Sequence, residues 1–237
     1  MIKKINYLLL CICILVLCGM VTFSYQRHKD KTDNDIKLIF ETKAPLYLAT
    51  NSVDKLLIQK KDSTSSQLKD TLALSKVENQ IKAFAEVENA EVYRRTDGRL
   101  EVYIQERTPV VRVLDGEGYY LDRIGMRMPL SGNYSPNVPL FYGALDSLQK
   151  PHLLHLLGAI ENDEFLHRQV MQIEEDQGNF FLGLRDFSTR FELGDLSRLQ
   201  GKIKKLKTLC AFLKQEQMED KYKNINLKYQ QQAVAIE

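Results

Sequence analysis

Two histidines stand three residues apart in a segment with helical periodicity. His152 and His155 would share one helix face, where two imidazoles could contribute to a metal site. A zinc ion takes four ligands, and the sequence positions no carboxylate or thiolate beside this pair. The other two histidines, His28 and His167, belong to no such group. We interpret all four as solvated side chains and predict no metal site and no bound cofactor.

The carboxylates form no recognisable catalytic group. Glu174, Glu175 and Asp176 form an acidic run, and Asp122 lies near a turn, where carboxylates are usually solvated. Asp33-Asn34-Asp35 formally matches the acidic triplet of metal-dependent glycosyltransferases, but it lies in a short polar stretch. The sequence also has no glycine-rich nucleotide-binding motif and no hydrolase nucleophile motif. The residues alone therefore single out no catalytic constellation.

The first residues contain the longest uncharged stretch of the chain. From Ile5 to Gln26 there are 22 residues without a charge. As a helix they would span about 33 Å, close to the ~30 Å of a bilayer core. A cleaved signal peptide is the alternative, but the apolar run is long for one and no Ala-x-Ala-like site follows it. We predict a transmembrane helix over residues 5–26, preceded by a cytoplasmic tail at 1–4.

The net charge of +2 is confined to this N-terminal segment. Removing Lys3 and Lys4 from the 33 basic residues leaves 31, which equals the number of acidic residues. A body without net charge argues against nucleic acid as a partner, because phosphate binding needs a basic face. Basic residues flank the apolar run on both sides, so charge alone does not fix a membrane orientation.

The cysteines exclude a disulfide-stapled scaffold. Cys11, Cys13 and Cys18 lie in the apolar segment, and Cys210 is the only cysteine after it. A body with one cysteine can form no internal disulfide.

The body divides into two predicted modules after a polar stalk at residues 27–35. In the first module, residues 36–109, alternating apolar residues predict a strand at the start and two strands at the end. Between them, residues 52–60 predict a short helix, and a capping box at Ser75 and Glu78 predicts the start of a second. Asp97-Gly98 is a strong hairpin-turn signal between the last two strands. The predicted order is strand, helix, helix, strand, strand.

The second module, residues 110–237, is predicted to be a mixed β domain. Short apolar strands separated by glycine-containing turns come first, and a helix is predicted over residues 151–167. Three closely spaced strands follow, then an amphipathic helix that begins at Asp195 or Ser197. Residues 224–237 predict a final strand or pair of strands. The basic face of the late helix, at 198–207, is either solvated or available to an acidic partner.

Residues 77–110 resemble the FtsQ/DivIB family of bacterial cell-division proteins. The segment contains Ala90-Glu91-Val92 and a second strand that ends in Glu106-Arg107-Thr108-Pro109-Val110. Downstream, GYYLDRIGMRMPL, PLFYG, RFELG and INLKYQQQAVAIE are similar to further segments of that family in the same order. The resemblance implies that the first module is a POTRA-like (polypeptide-transport-associated) domain with βααββ order. The predicted fold class is therefore α+β, with a transmembrane helix, a POTRA-like domain, and a β domain that ends in an edge strand.

The resemblance also implies a function. A member of this family would be a non-enzymatic scaffold of the division machinery, anchored by a single pass in the inner membrane at the division site. Its N-terminus would be cytoplasmic and its later domains periplasmic. It would bind the small coiled-coil proteins FtsB (DivIC) and FtsL, other division proteins, and no nucleic acid, and so support septum assembly.

The resemblance places partner binding on the C-terminal edge strand. An edge strand has unpaired backbone groups that can accept another chain. The residues implied are Lys228, Tyr229, Ala233 and Val234. The alternative for Tyr229 is an ordinary sheet aromatic. The alternative functions are a POTRA-bearing chaperone or transport adaptor, and a tethered enzyme acting through the second module.

Overall fold

The computed structural model divides the chain into two compact units. The first comprises residues 1–45 and 49–105, and the second comprises residues 46–48 and 106–237. The structure describes residues 12, 14–24, 36–41, 45–49, 51, 53, 55, 71–96, 99–143, 145–146, 148–230 and 232–236. Both units combine helices with a β-sheet, so the architecture is mixed α+β.

The first unit is a three-stranded sheet with a helix packed against it. The order of strands in the sheet is β1-β3-β2, and β1 runs parallel to β3. Val77 and Ile81 of α1 are buried together with Val87, Ala90 and Val92. The bounds are Ile36–Phe40 for β1, Thr71–Lys82 for α1, Val87–Arg94 for β2 and Leu100–Glu106 for β3.

The predicted capping box in this unit is wrong. Helix α1 begins at Thr71, so Ser75 lies inside it and is exposed. The Glu78 carboxylate instead accepts a hydrogen bond from the backbone N–H of Val92 at 2.9 Å. Glu78 therefore links α1 to β2 and does not cap the start of its own helix. Of the predicted helix at 52–60, only Val53 and Lys55 are described, both helical; Asp97 and Gly98 of the predicted turn lie outside the described residues.

The second unit is built on a nine-stranded sheet. Its strand order is β12-β11-β10-β9-β8-β7-β4-β5-β6. The strands are β4 Pro109–Val113, β5 Tyr119–Asp122, β6 Arg127–Met128, β7 Leu140–Tyr142, β8 Val170–Asp176, β9 Asn179–Leu184, β10 Arg190–Gly194, β11 Asn224–Asn226 and β12 Val234–Ile236. The helices are α2 Gln149–Glu161, α3 Glu164–Gln169 and α4 Leu199–Gln215.

Helices connect two of the parallel strand pairs of this sheet. Strands β7 and β8 are parallel and are connected through α2 and α3, and β10 and β11 are parallel and are connected through α4. The apolar stripe predicted for α4 is confirmed at Leu199, Ile203, Leu206, Cys210 and Leu213, which are all buried. Leu196, also predicted for the stripe, lies before the first residue of the helix and is only partly buried. They belong to one hydrophobic core with Leu153, Leu156, Leu157 and Ile160 of α2 and the inner residues of the strands.

Two details of the predicted helices are wrong. The helix predicted over 151–167 is two helices, because Asp163 adopts an extended conformation and its carboxylate caps the backbone N–H groups of Phe165 and Leu166. Lys202, which belongs to the basic face predicted at 198–207, is only 5% exposed, so this face is not solvated at that position.

The predicted transmembrane helix over residues 5–26 is also wrong. Of the helices formed by the described residues, none is both long enough and apolar enough to cross a membrane. The described helical residues of that segment are Ile12 and residues 14–24. The same finding overturns the predicted location as a single-pass protein of the inner membrane with periplasmic domains. The predicted tail at 1–4 and stalk at 27–35 lie outside the described residues.

Candidate functional site

Strand β12 lies at one edge of the nine-stranded sheet. It pairs antiparallel with β11, with Ile225 opposite Ala235 and Asn226 opposite Val234. Strand β11 in turn pairs parallel with β10, which places Phe191 opposite Ile225. Among the described residues no strand pairs with the other side of β12. The edge therefore presents backbone groups that another chain could bind.

The four residues expected to bind a partner all lie in or just before this edge strand. Tyr229 is 52% exposed and Val234 is 39% exposed, and Ala233 and Lys228 are exposed as well. Tyr229 and Val234 contribute apolar surface that the body of the unit does not cover. The structure thus gathers the four positions on one accessible segment between Leu227 and Ile236.

An ion pair fixes the direction of the Lys228 side chain. Its Nζ lies 2.6 Å from Glu192 Oε1, and the Asn226 amide donates a hydrogen bond to the other oxygen of the same carboxylate at 2.7 Å. The stem of Lys228 runs over Gly194, where an added Cβ would lie 2.5 Å from Lys228 Cγ and Cδ. Gly194 also has a φ of +69°, a conformation that side chains rarely adopt. A residue without a side chain is therefore needed beneath Lys228.

Lys205 of α4 holds the segment before the edge strand. Its Nζ donates to the backbone carbonyl of Leu227 at 2.8 Å, to that of Tyr229, and to that of Gln232 at 3.4 Å. The pKa of Lys205 is lowered by burial and by the neighbouring charges of Lys202 and Arg198. This role was not predictable from the sequence. The available signal was a run of lysines on the polar side of α4, which does not reveal which of them faces the terminal segment.

A small cationic cavity opens beside Tyr229. Its volume is about 90 Å³. The Lys202 ammonium within it is paired with Asp195 Oδ1 at 2.7 Å. The cavity is lined by Arg198, Gly201, Lys202, Lys205, Lys228, Tyr229 and Gln230. Lys202 and Lys228 are already paired with carboxylates, which leaves Arg198 and Lys205 as the lining cations without a carboxylate partner among the described residues. An acidic side chain from another protein could pair with a cation of this kind.

Glu106, at the end of β3, holds a separate piece of chain by its backbone. Its carboxylate accepts hydrogen bonds from the N–H groups of Leu46, Tyr47 and Leu48 at 2.8, 2.8 and 2.7 Å. Tyr47 is buried in a small cluster with Tyr120 and Met128. Burial and the neighbouring Tyr134 raise the pKa of Tyr47 to about 12, so its hydroxyl is neutral at physiological pH.

Arg107, the next residue, forms an ion pair inside the second unit. Its Nη1 lies 2.8 Å from Asp122 Oδ2, and both side chains are almost fully buried. The other Asp122 oxygen accepts from the N–H groups of Ile124 and Met126, which fixes the turn between β5 and β6. The Glu106-Arg107 motif that carried the sequence resemblance therefore serves the fold rather than an exposed binding surface.

The carboxylates considered for catalysis make contacts within the sheet and its turns. Glu174 is paired with Arg190, and Glu175 accepts a hydrogen bond from the N–H of Gly178 at 2.7 Å. Cys210 is buried, and desolvation raises the pKa of its thiol to about 12, which keeps it protonated and unreactive. Across the described part of the chain, no group of three or more His, Cys, Asp or Glu residues could hold a metal ion. His28 lies outside it.

The fold and this edge lie in a region that matches a known family. The family model described as FtsQ/DivIB, C-terminal related, matches residues 108–236. The chain belongs to this family. The match extends from the residue before β4 to the last residue of β12, so it includes the candidate edge. It confirms the resemblance found in the sequence. Comparison with curated proteins gives no match.

Membership of the FtsQ/DivIB-related family gives the chain a role connected with bacterial cell division. The family is one of non-enzymatic division proteins, and its partners are other components of the division machinery. For an FtsQ/DivIB-related chain, an exposed sheet edge is the feature of the described structure best suited to binding another protein.

Proposed function

We propose that this chain is a non-enzymatic scaffold of the division machinery. It binds small coiled-coil division proteins of the FtsB/DivIC and FtsL types along its C-terminal edge strand and supports septum assembly. The observation that carries the proposal is the open side of β12 within the region that matches the family.

The binding mode that fits this edge is addition of a strand. A partner segment in extended conformation would form main-chain hydrogen bonds with β12 and extend the sheet by one strand. Main-chain bonds supply affinity with little sequence preference, so specificity has to come from side chains beside the edge.

Tyr229 and the cationic cavity supply those side chains. An exposed tyrosine ring offers a large apolar contact with a polar tip, a combination enriched in protein interfaces. An acidic residue on the partner could enter the cavity beside it, where Arg198 lies. We propose Lys228, Tyr229, Ala233 and Val234 as the contact residues.

We also propose that residues 36–109 form a POTRA-like domain. The order of β1, α1, β2 and β3, and the parallel pairing of β1 with β3, support this assignment.

A charge placed at Tyr229 tests the interface. We expect Tyr229→Glu to weaken binding of the FtsB/DivIC-like protein at least tenfold in a titration with purified proteins, because a carboxylate replaces the apolar ring. Tyr142→Glu is the matched control, since Tyr142 is also an exposed tyrosine, 39% exposed, but lies on β7. Equal affinity of both variants and the wild type would rule out Tyr229 as a contact.

Removal of the edge strand tests the binding mode. A chain that ends at Gln230 should remain folded, because residues 232–235 are all exposed. It should lose the partner, and cells that depend on it should grow as undivided filaments. Normal division with this chain would overturn the scaffold proposal. Recovery of unfolded outer-membrane proteins in place of division proteins would favour the chaperone alternative.

A further inference from the structure

A larger cavity lies in the second unit, among strands that are not at the sheet edge. Its volume is about 410 Å³, within the ~300–1,000 Å³ typical of small-molecule sites. It lies where the parallel strands β4, β7 and β8 begin, beside the C-terminal ends of α2 and α3. Its lining residues are Thr108, Pro109, Val110, Arg123, Asn137, Val138, Pro139, Leu140, Leu157, Ile160, Glu161, His167, Val170, Met171 and Arg185.

The floor of this cavity is apolar and buried. Val110, Leu157, Ile160 and Val170 are each 3–6% exposed and belong to the main hydrophobic core. Met171, by contrast, lines the cavity with 46% of its surface exposed. The floor therefore offers apolar surface that a ligand could cover without disturbing the core.

The rim of the cavity is polar and carries more positive than negative charge. Arg123 is paired with Glu161 at 3.6 Å, so these two charges offset each other. Within the part of the chain that the structure describes, the side chains of Arg185, His167 and Asn137 have no hydrogen bond or ion pair. The positive charge of Arg185 acts on the neighbouring Asp186, but the Arg185 guanidinium donates no hydrogen bond to that carboxylate. Its hydrogen-bond donors are therefore available to a ligand at the mouth of the cavity.

We propose that this cavity binds an amphipathic monoanion, with an apolar body of roughly ten carbon atoms and one carboxylate, a size that fits a cavity in the small-molecule range. The body would lie on Leu157, Ile160 and Val110, and the carboxylate would accept paired hydrogen bonds from the Arg185 guanidinium. His167 and Asn137 are further donors on the rim.

The strand arrangement favours a small molecule over a peptide. Strands β4, β7 and β8 each have neighbours on both sides in the sheet, so the cavity offers no free strand edge to which a peptide backbone could bind. The site is also separate from the β12 edge, since the two cavities share no lining residue. The inference therefore does not rest on the proposed scaffold function.

Decanoate is a suitable probe because it has a ten-carbon chain and one carboxylate. Titrated into the full chain and followed by calorimetry below its micelle concentration, it should bind saturably. Arg185→Glu should weaken that binding at least tenfold, whereas the affinity for uncharged 1-decanol should change less than threefold. Met171→Trp, which fills the cavity from an exposed position, should weaken binding of both probes.

Arg168→Glu is the matched control. Arg168 is an exposed arginine of α3 that pairs with Glu164 and does not line the cavity, so its change should alter decanoate affinity less than twofold. Circular dichroism verifies that each variant is folded. The proposal is overturned by non-saturable decanoate binding, by equal effects of Arg185→Glu and Arg168→Glu, or by unchanged affinity in Met171→Trp.

Discussion

Single carboxylates organise the start of the second unit. Glu106 and Asp122 each accept two or more backbone N–H groups, and Asp122 adds an ion pair with Arg107. Glu106 accepts hydrogen bonds from a segment distant in sequence, and Asp122 accepts them from the tight turn that follows β5. A buried charge is tolerated in such a place because every oxygen has a partner.

Removing the Asp122 carboxylate should destabilise the fold strongly. Asp122→Ala leaves the Arg107 guanidinium buried without its counter-charge and two turn N–H groups without an acceptor. We expect the free energy of unfolding to fall by about 3–5 kcal/mol, the range for breaking a buried ion pair. Urea denaturation followed by circular dichroism measures it.

The control for this prediction is an exposed pair. Arg168 and Glu164 lie at i, i+4 on α3, with 69% and 84% of their side chains exposed. Arg168→Ala should change the free energy of unfolding by less than about 0.5 kcal/mol. If Asp122→Ala costs no more than Arg168→Ala, the buried pair does not stabilise the unit.

At the scale of elements, ion pairs attach α4 to its surroundings. Lys202 pairs with Asp195, Lys207 with Asp163, and Lys214 with Asp186. The apolar stripe of the helix faces the core, and these lysines reach sideways to carboxylates outside the helix. Hydrogen bonds from Lys202, Lys207 and Lys214 lower the pKa of Asp195, Asp163 and Asp186, respectively, below the ordinary value of 3.8.

The lowered pKa values predict loss of stability in acid. A carboxyl whose folded pKa is depressed contributes stability above its unfolded pKa, and that contribution disappears as the pH falls through the folded pKa. The urea midpoint of the wild type should therefore decrease between about pH 5 and pH 2. The variant Lys207→Met/Lys214→Met should start lower at pH 7 and decrease less steeply.

The matched control replaces two lysines outside these pairs. Lys204 and Lys223 are exposed, and their side chains pair with no carboxylate among the described residues. Lys204→Met/Lys223→Met should retain the wild-type pH dependence. Parallel pH curves for all three proteins would mean that the α4 pairs add no pH-dependent stability.

The elements of the second unit were predictable to different degrees. Strands β8 and β9 are two of the three closely spaced strands that the sequence predicts, because each is a mainly apolar run beside polar turn residues. The α4 stripe was equally clear from its period. The break at Asp163 was missed because the apolar pattern continues through it, and only the backbone shows where the cap lies.

The surroundings of the candidate edge were less predictable. The four contact residues near the C-terminal strand were predicted from the family resemblance. Their exposure depends on the position of β12 at the edge of the sheet, and no local sequence pattern specifies that order of strands. The pairing of Lys228 with Glu192 joins residues 36 positions apart, and the contacts of Lys205 depend on where α4 packs. Contacts between residues so far apart in sequence can be identified only once the positions of the strands and of α4 are known.

At the scale of the whole molecule, the second unit is formed by two separate segments of the chain. Residues 46–48 belong to it although the residues on either side belong to the first unit. Tyr47 and Leu48 are buried there, and the three N–H groups bound by Glu106 fix the backbone. One carboxylate therefore binds three successive backbone groups of this distant segment.

Loss of that carboxylate should release the segment to a protease. In Glu106→Ala the three N–H groups lose their acceptor, at a cost of about 1–3 kcal/mol for each donor left buried. We expect chymotrypsin to cleave after Tyr47 at least tenfold faster than in the wild type, as measured by mass spectrometry of the fragments. Glu117→Ala, at an exposed loop carboxylate, should leave the rate unchanged. Equal cleavage rates in both variants would contradict the role of Glu106.

Gly194 links the interior of the sheet to its proposed binding edge. Any side chain at this position would displace the stem of Lys228 and the ammonium that meets Glu192. A random mutagenesis screen for lost partner capture would therefore recover substitutions at Gly194 alongside those at Tyr229. Such alleles would mimic contact mutations although no partner atom touches position 194.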